Sequence, residues 1–399
     1  MLRDISNHVR PMKSKRKTEK SVWVSIVGAR PQFVKLGPIC RAIDQHNIEI
    51  PSHEIDHHIL NTGQHYDREV AAVLFDEMNL PEPSYSLKVG SGSHGTQIAR
   101  MLARMEPILS SLRPDWVIVY GDTNSTLAGA LLAARLKLPL AHVEAGCRSG
   151  EISQPEEQNR IVADQLSQLL LPVSDHNAAN LRREGIGVPG DHLPRRVVVV
   201  GDVQFDALLQ NADLAAEHVQ SQLDLFQLKS KNYYLLTLHR AENTDDPERL
   251  RGILELASSL DLPVLFPVHP RTKEILARNG VSLNGSLRVA PPQGYLEMVA
   301  LEKNARKILT DSGGVQKEAF YLNVPCVTLR ERTEWVETVE LGANRLAGSD
   351  ARSIQSAVYE TNHLSWAHER PYGDGNAARK IVAELSASKC CLAKAVASH

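Results

Sequence analysis

Short apolar segments alternate with helical patterns along the chain from residue 21 onward. Most of these segments are rich in β-branched residues and continuously apolar, which is typical of strands covered on both faces. They lie at residues 22–28, 116–122, 139–146, 169–174, 197–202, 233–240, 263–270, 287–290, 307–311 and 325–330. Helical periodicity lies between them, for example at residues 125–136 and 157–170. The alternation predicts an α/β fold of one or two doubly wound units, with parallel sheets and crossover helices.

A break in the pattern divides the chain near residue 195. Residues 185–196 are rich in Gly, Pro and charge, and a new apolar segment follows them. We therefore predict an N-terminal Rossmann-like domain over 21–195 and a C-terminal one over 196–375, with a helix over 376–399 that packs back on the first domain. Two doubly wound domains place the carboxyl ends of both sheets around a central cleft, where ligands of such folds bind.

Composition and charge narrow the class of protein. Apolar residues make up 42% of the 399 residues and charged residues 23%, as in globular proteins. A net charge of −2 argues against a nucleic-acid binder, and no apolar run reaches the roughly 20 residues of a membrane span. Residues 1–20 carry seven Lys or Arg without a signal-like apolar stretch, which predicts a flexible basic tail. Five cysteines without metal-ligand spacing favour reduced thiols in the cytoplasm.

Two cations follow the first predicted strand. Arg30 stands in the Gly-Ala-Arg-Pro-Gln turn after it, and Lys35 lies one helical turn further on. Both suit a phosphate or carboxylate ligand. A tight strand–helix turn with a surface cation is the alternative.

Three carboxylates come from the carboxyl ends of successive elements of the first domain: Asp122, Glu144 and Glu156. Helix capping explains Asp122 in part. Glu156 and Arg160 are four residues apart and share a helix face, so a surface ion pair is the alternative for them. Repetition at successive ends instead favours convergence in a partly dry cleft. Carboxylates there acquire raised or split pKa values, as general acid–base chemistry requires.

Histidines end two strands of the second domain. His239 and His269 occupy matching positions, and an arginine closely follows each. A single terminal histidine is usually just solvated, but two at matching strand ends predict an anionic ligand.

The sharpest motif is Asp311-Ser312-Gly313-Gly314, with Glu318 about one helical turn further on. A strand ends at the aspartate and a helix starts at the glycines, so backbone N–H groups and the positive helix end are available to a diphosphate. Glu318 is placed to accept hydrogen bonds from ribose hydroxyls. A purely structural turn is the alternative.

Two other motifs are not functional sites on this interpretation. Residues 53–57 match the H-E-x-x-H zinc pattern, which needs a helix, but residues 55–60 are predicted as a strand. Residues 90–95 match G-x-G-x-x-G but do not follow the first strand, and a loop that caps the helix near Thr96 explains them. We predict no metal and no NAD or other cofactor.

The strand-end motifs, taken in order, resemble the non-hydrolysing UDP-N-acetylglucosamine 2-epimerases. The resemblance runs from about residue 22 to about 385 in collinear order. The matching pieces are GARPQFVK (28–35), TGQHYD (62–67), GDTNSTLAG (121–129), HVEAGCRSG (142–150), PEEQNR (155–160), GDVQFDALL (201–209), HRAEN (239–243), FPVHPRT (266–272), PQGYLEM (292–298), DSGGVQKEA (311–319) and PYGDG (371–375).

The resemblance implies a fold of the glycosyltransferase B type, a UDP-sugar substrate and a homodimer. It places UDP mainly on the second domain, with the phosphates at residues 311–314 and the ribose at Glu318, while Arg30 and His239 face the diphosphate and the sugar. It also implies the chemistry: a base removes the C2 proton while UDP leaves, and a glycal intermediate takes UDP and a proton back. Asp122, Glu144 and Glu156 can supply proton transfer, with base and acid unassigned.

Departures from the family pattern leave alternatives open. Residues 333–337 read TEWVE where many members have TERPE, which looks like the branch acting on decorated sugars such as UDP-2,3-diacetamido-2,3-dideoxy-glucuronate. Arg330, Arg332 and Lys35 are candidates to bind the extra carboxylate. Further alternatives are a retaining glycosyltransferase, a hydrolysing 2-epimerase and a non-enzymatic nucleotide-sugar sensor. TGQHYD replaces the His-Arg sequence of regulated bacterial members, which argues against allosteric control by substrate.

Overall fold

The structure, a computed structural model, describes residues 20–64, 75, 77–268, 272–273, 275–276, 285–361 and 365–396. The predictions that fall at least partly outside these residues are the basic tail up to residue 19, the TGQHYD motif at 62–67, the FPVHPRT motif at 266–272 with the site residue His269, and the end of the C-terminal helix at 397–399.

Seven parallel strands form the first sheet, in the order β3-β2-β1-β4-β5-β6-β7. Their bounds are β1 Ser21–Val27, β2 Ile55–Asn61, β3 Tyr85–Ser86, β4 Trp116–Tyr120, β5 Leu140–Val143, β6 Leu169–Leu171 and β7 Arg196–Val197. The central strands are covered on both faces, since β4, β5 and β6 are buried at every residue. This burial explains why their sequences are continuously apolar.

Six parallel strands form the second sheet, in the order β10-β9-β8-β11-β12-β13. Their bounds are β8 Tyr234–Thr237, β9 Val264–Pro267, β10 Leu287–Ala290, β11 Lys307–Thr310, β12 Cys326–Thr328 and β13 Asn344–Leu346. Counted from its own first strand, each sheet has the order 3-2-1-4-5-6, and the first sheet adds one strand. The predicted α/β fold of two doubly wound units is confirmed.

Helices connect the strands and cover both sheets. Those of the first half are α1 Arg30–Glu49, α2 His94–Leu112, α3 Asn124–Arg135, α4 Pro155–Leu166 and α5 Asp175–Arg183, with a 3₁₀ turn at Pro51–His53. Those of the second half are α6 Val203–Gln210, α7 Ala212–Glu217, α8 Val219–Leu225, α9 Ala241–Thr244, α10 Pro247–Ser259, α11 Tyr295–Asn304, α12 Gly313–Tyr321, α13 Val336–Glu340, α14 Ala351–Tyr359 and α15 Ala377–Val396.

The segment after residue 195 differs from the prediction. Instead of starting the second sheet, β7 pairs with β6 in the first. The N–H groups of Val198 and Val200 continue this alignment by donating to carbonyls at Leu170 and Pro172. The segment is apolar although Val200 is the buried residue in it, and its composition could not show which sheet it joins. The division of the chain at 195 stays a prediction.

A shared apolar core joins the two halves. Phe33 of α1 and Tyr295 of α11 belong to the same buried cluster, together with Ile381 and Leu385 of α15. The last helix is fixed further by the indole N–H of Trp116, which donates to the carbonyl of Leu385 at 3.1 Å. These contacts hold the two carboxyl edges in one orientation.

The two motifs set aside have ordinary structural explanations. His53 ends the 3₁₀ turn and His57 lies in β2, so they do not share a helix. Ser93 caps α2, and its hydroxyl accepts the N–H of Thr96. In the described ranges no cluster of three His, Cys, Asp or Glu side chains could hold a metal ion. No helix there is long and apolar enough to cross a membrane.

Candidate active site

The candidate site lies between the carboxyl edges of the two sheets. Strand order reverses between β1 and β4 in the first sheet and between β8 and β11 in the second. Ligands of open α/β sheets bind outside the strands at such reversals. The loops after these four strands carry the predicted residues Arg30, Asp122, His239 and 311–314.

The turn after β1 is built for close packing. A Cβ on Gly28 would lie 1.9 Å from the Thr62 hydroxyl and 2.4 Å from the Ser125 hydroxyl, so only glycine fits. The Gln32 side chain accepts the N–H groups of Gly28 and Ala29 at 2.9 and 3.2 Å. These bonds satisfy donors at the start of α1 and fix the direction of the turn.

Glu144 is held between two lysines. Its Oε2 atom lies 2.7 Å from the Lys35 ammonium and 2.9 Å from the Lys317 ammonium, and all three side chains are buried. Burial would raise the pKa of Glu144, but the ammonium groups of Lys317 and Lys35 hold it well below its usual range. The prediction of a raised pKa is therefore wrong for Glu144, because Lys317 brings a second cation that sequence reasoning did not place there.

Arg160 gathers carboxylates from both halves of the molecule. Its guanidinium lies 2.6 Å from Asp122, 2.8 Å from Glu157 and 3.0 Å from Glu334. Asp122 and Glu157 belong to the first half, whereas Glu334 follows β12 of the second sheet. A planar guanidinium with five N–H donors can serve several carboxylates in this way, which a lysine could not do as well.

Glu156 lies apart from the predicted partner Arg160. Its carboxylate is 39% exposed and lies 3.9 Å from Arg240, a residue of the second half. The helical partner of Arg160 is Glu157, three residues before it, since Glu157 also accepts the backbone N–H groups of Ser149 and Gly150 and is thereby turned inward.

Arg330 does not face open space as a substrate ligand would. Its side chain is buried, with Nη1 3.0 Å from Glu334 and Nε 3.4 Å from Glu242. Burial would raise the pKa of Glu334, but Arg160, Arg330 and Arg240 lower it to about 2. Arg330 fixes Glu334, and Lys35 is likewise paired with Glu144, while the substrate contacts of both residues stay predictions.

Asp311 is a buried residue that fixes the conformation of the second carboxyl edge. It is completely buried, and its carboxylate accepts the backbone N–H groups of His239 and Arg240 and the amide of Asn243, at 3.0 to 3.2 Å. These bonds hold the loop after β8, with the His239 ring 44% exposed and its Nδ1 atom 3.2 Å from Asp311. Asp311 therefore positions its neighbours, and its direct contact with substrate stays a prediction.

The Ser312-Gly313-Gly314 turn opens α12. The Ser312 hydroxyl caps the helix by accepting the N–H of Val315. Beside the turn, the buried indole N–H of Trp335 has no hydrogen-bond partner among the described residues, and it lies 3.1 Å from where a Cβ on Gly313 would be. The turn presents backbone N–H groups at the positive end of a helix, which suits an anion.

Glu318 lies deeper on the same helix, near a second buried carboxyl. Burial raises the pKa of Glu318, and burial together with Glu318 raises the pKa of Glu302 well above its ordinary value. Neither Glu302 oxygen has a hydrogen-bond partner among the described residues. Arg30, whose Nη1 donates to the Gln293 carbonyl at 3.1 Å across the cleft, counteracts both shifts. These two carboxyls with raised pKa values lie in helices of the second half, whereas Glu144 of the first edge has a lowered pKa.

The structure collects the predicted residues into two groups, apart from His269, which lies outside the described residues. Asp122, Glu144, Lys35 and Arg160 form buried ion pairs at the first edge, while the turn at 312–314, Glu318 and His239 form the second edge. Sequence reasoning missed Lys317 and Glu334, which join the groups. Both lie inside motifs quoted above. The signal that could have identified them is a charged residue within a stretch of sequence that is otherwise predicted to be buried.

Comparisons with known proteins agree with this geometry. The model of the UDP-N-acetylglucosamine 2-epimerase family matches residues 49–386. A UDP-N-acetylglucosamine 2-epimerase homolog of Methanococcus maripaludis is 45% identical over 91% of this chain and 98% of its own length. The UDP-2,3-diacetamido-2,3-dideoxy-D-glucuronate 2-epimerase of Pseudomonas aeruginosa is 41% identical over 91% of this chain and 99% of its own. The crystal structure of Methanocaldococcus jannaschii UDP-GlcNAc 2-epimerase in complex with UDP-GlcNAc and UDP matches with a TM-score of 0.83 and 43% identity, covering 92% of this chain and 99% of that one.

Proposed function

The chain belongs to the UDP-N-acetylglucosamine 2-epimerase family, and from this premise we propose that it converts UDP-N-acetylglucosamine to UDP-N-acetylmannosamine without hydrolysis. The enzyme is an isomerase that inverts carbon 2 of the sugar. Its substrate binds in the cleft between the two carboxyl edges.

The reaction is an elimination followed by a re-addition. A base takes the C2 proton, the electrons of the C–H bond form a C1–C2 double bond, and the C1–O bond breaks so that UDP leaves with its electrons. The intermediate is a glycal. UDP then adds back to C1, and a proton returns to the opposite face of C2. Nothing is oxidised or reduced overall, so the proposal includes no redox cofactor and no metal.

The two carboxyl edges have different roles in this reaction. Asp122, Glu144 and Glu156 serve proton transfer at the first edge, where Glu144 enters as a buried carboxylate. The turn at 312–314 binds the diphosphate through backbone N–H groups, and Glu318 binds the ribose. His239 and Arg30 face the leaving group from the loops after β8 and β1. Donors aimed at the departing UDP stabilise the charge that develops on it.

One observation carries the proposal: a carboxylate of the first edge is tied directly to the helix that starts at the candidate diphosphate turn. Lys317, three residues after Gly314, lies 2.9 Å from Glu144. A sugar whose diphosphate sits at the turn is thereby brought to the carboxylates. Holding the reacting groups in one place supplies much of the rate enhancement of such reactions.

The experiment is product analysis. Purified enzyme is incubated with UDP-N-acetylglucosamine alone, and the nucleotides and free sugars are separated. We expect UDP-N-acetylmannosamine without accumulation of free UDP. Free UDP with free N-acetylmannosamine would show a hydrolysing epimerase, and turnover only when an acceptor is added would show a glycosyltransferase.

A decorated substrate is the second candidate function. It is supported by the Pseudomonas aeruginosa relative, which is named as acting on UDP-2,3-diacetamido-2,3-dideoxy-D-glucuronate. Two of its three candidate cations count against it, since Lys35 and Arg330 already pair with Glu144 and Glu334. The third, Arg332, is exposed and donates to the Gly150 carbonyl at 3.4 Å. The ratio of the kcat/KM values for the two sugars distinguishes the two candidate functions. We expect kcat/KM to be higher for UDP-N-acetylglucosamine.

We also propose that the enzyme acts as a homodimer in the cytoplasm and that its UDP-sugar product is used in polysaccharide biosynthesis. The described cysteines Cys40, Cys147 and Cys326 are buried free thiols, which suits a reducing compartment. Light scattering coupled to gel filtration tests the dimer, and a monomeric mass under assay conditions would contradict it.

A further inference from the structure

Lys317 is a buried lysine in contact with three separate parts of the chain. Its ammonium lies 2.9 Å from Glu144, 2.7 Å from Asp202 and 4.0 Å from the centre of the Trp335 ring. Glu144 follows β5 of the first sheet, Asp202 caps α6, and Trp335 precedes α13. Lys317 itself lies in α12, which the second sheet carries.

The surroundings of Lys317 are balanced in charge. Lys35 is the second cation beside Glu144, so two buried ammonium groups face two buried carboxylates. An ammonium is costly to bury unless it is paired, and the face of Trp335 adds an electrostatic contact. Buried ion pairs of this kind are not required by the fold, because replacing all of their members with well-packed apolar residues is often neutral or stabilising. The arrangement therefore points to function.

Lys317 also lies between two parts of the candidate nucleotide site. It follows Gly314 by three residues and directly precedes Glu318 on α12. A nucleotide bound at the turn and at Glu318 therefore fixes the position of Lys317. Glu144 has little freedom of its own, since its backbone is left-handed with φ of 73°. The contact between them forms only when the two edges face each other as they do here.

We infer that Lys317 is a positioning residue that supplies the counter-charge of Glu144 from the nucleotide-binding helix and so couples UDP binding to the chemical step. The inference rests on the proposed function and adds how the nucleotide-binding helix of the second edge positions the Glu144 carboxylate of the first edge. Both lysines lower the pKa of Glu144, so removal of either one raises it.

Other titratable groups facing Glu144 do not replace this role. Cys147 and Tyr321 are buried near it, and burial raises the pKa of each well above its ordinary value. Both therefore stay neutral over the acidic range in which Glu144 would titrate. Tyr321 donates a hydrogen bond to Asp202 at 2.6 Å. When Lys317 is removed, Lys35 is the cation that remains beside Glu144.

The test compares Lys317→Met and Lys317→Arg with a matched control, Lys307→Met. Lys307 is also buried, but its ammonium donates to the carbonyls of Ala357 and Val358, away from the cleft. The pH profiles of kcat and KM are measured for each variant. In Lys317→Met the acid-side midpoint of kcat should rise by about 1–3 pH units, since an opposite charge at this distance lowers a carboxyl pKa by that much. Lys317→Arg should restore most of the shift, and Lys307→Met should leave the midpoint in place.

A double variant separates positioning from stability. Asp202→Asn added to Lys317→Met restores the charge balance and keeps an oxygen to cap α6. If Lys317 only stabilises the fold, the double variant should return to the wild-type pH profile. We expect its thermal stability to recover while the shifted midpoint remains. An unshifted midpoint in folded Lys317→Met would overturn the inference.

Proton uptake on UDP binding gives a readout that needs no turnover. It is measured calorimetrically in buffers of different ionisation enthalpy, across the acidic range in which the protein stays folded. Lys317→Met should take up more protons on binding UDP than the wild type does, because Lys317 no longer offsets the charge of the bound diphosphate at Glu144, whereas the titration of the diphosphate itself contributes to both proteins. Equal uptake by both proteins would contradict the inference. Failure of the wild type to epimerise any UDP-sugar would instead contradict the proposed function, and the calorimetry would still decide the role of Lys317.

Discussion

The two sheets share one strand order but present opposite chemistry at their carboxyl edges. The first edge is a set of buried ion pairs in which Arg160 and Glu144 have charged partners within 3 Å. The second edge presents the backbone N–H groups of the Ser312-Gly313-Gly314 turn and a half-exposed His239. In the proposed function, one topology therefore hosts both a reacting surface and a nucleotide-binding surface.

The difference indicates that the ion pairs of the first edge serve the reaction more than they stabilise the fold. Buried ion pairs are weak evidence for stability, because desolvation of the charges offsets much of their attraction. Charges fixed in a dry cleft are instead useful to a reaction that moves protons and expels an anion. A backbone turn at a helix start binds a diphosphate with little dependence on side chains. Changes at the first edge should therefore affect kcat, and changes at the second edge should affect binding.

The largest effect is expected for Asp122→Asn. The carboxylate is 27% exposed to the cleft and lies 2.6 Å from Arg160, so the variant keeps the shape but loses the charge. We expect kcat to fall about 10²–10⁴-fold, the range for loss of a general acid or base, with UDP affinity changed less than about threefold. Steady-state kinetics and calorimetry measure the two. Asp191→Asn, which alters an Asp–Arg pair outside the cleft, is the matched control and should keep its kcat.

The next effect concerns stability against acid. The folded pKa of Glu334, about 2, lies below its ordinary 4.5, so its contribution is complete above pH 4.5 and is lost as pH falls toward 2. The shift corresponds to about 3 kcal/mol. Urea unfolding of wild type and Glu334→Gln should show a gap of this order at pH 7 that narrows below pH 4.5. A gap that is constant with pH would mean that the charge of Glu334 is not what stabilises the contact between the edges.

A smaller effect is expected for Gly313→Ala. The new Cβ would lie 3.1 Å from Trp335 Nε1 and 3.5 Å from Glu334 Oε1, at the face of the turn that binds the diphosphate. We expect UDP to bind about tenfold more weakly, a loss of about 1.4 kcal/mol, with kcat retained at saturating substrate. Gly252→Ala is the control, because nothing lies within 4 Å of its Cβ. If Gly313→Ala lowered kcat and spared the affinity, the division between the edges would be wrong.

The smallest effect is expected from removal of metal. Elimination and re-addition of UDP needs no metal in this account, so kcat after dialysis against EDTA should equal kcat before it. Restoration of a lost activity by Mg²⁺ or Zn²⁺ would show that an ion, rather than the helix start and the arginines, neutralises the departing diphosphate.

Sequence predicted the strands that are buried on both faces and missed two short ones at the edges of the sheets. A run such as WVIVY in β4 is apolar throughout because helices cover it twice. The strands Tyr85–Ser86 and Asn344–Leu346 have two and three residues, too few for any period to appear. The segment after residue 195 was assigned to the wrong sheet because apolar composition reports burial and not the identity of the neighbouring strand.

Prediction of the site had a similar limit. Strand ends located Asp122, Glu144, His239 and the turn at 312–314, because parallel strands gather their carboxyl ends at one edge. Partners could not be predicted in this way, since Lys317 reaches Glu144 from 173 residues away and Glu334 reaches Arg160 from 174. Such contacts depend on how the two sheets face each other. Local spacing misled once, when Glu156 and not Glu157 was paired with Arg160.

The most direct test of the account is proton NMR of the purified enzyme with UDP-N-acetylglucosamine in D₂O, without added metal or nicotinamide cofactor. The account predicts UDP-N-acetylmannosamine with deuterium at C2, because the proton removed at the first edge exchanges with solvent before a proton returns. UDP-N-acetylmannosamine that retains its original hydrogen at C2 throughout would contradict the account, since the carboxylates of the first edge would then not be exchanging the C2 proton with solvent.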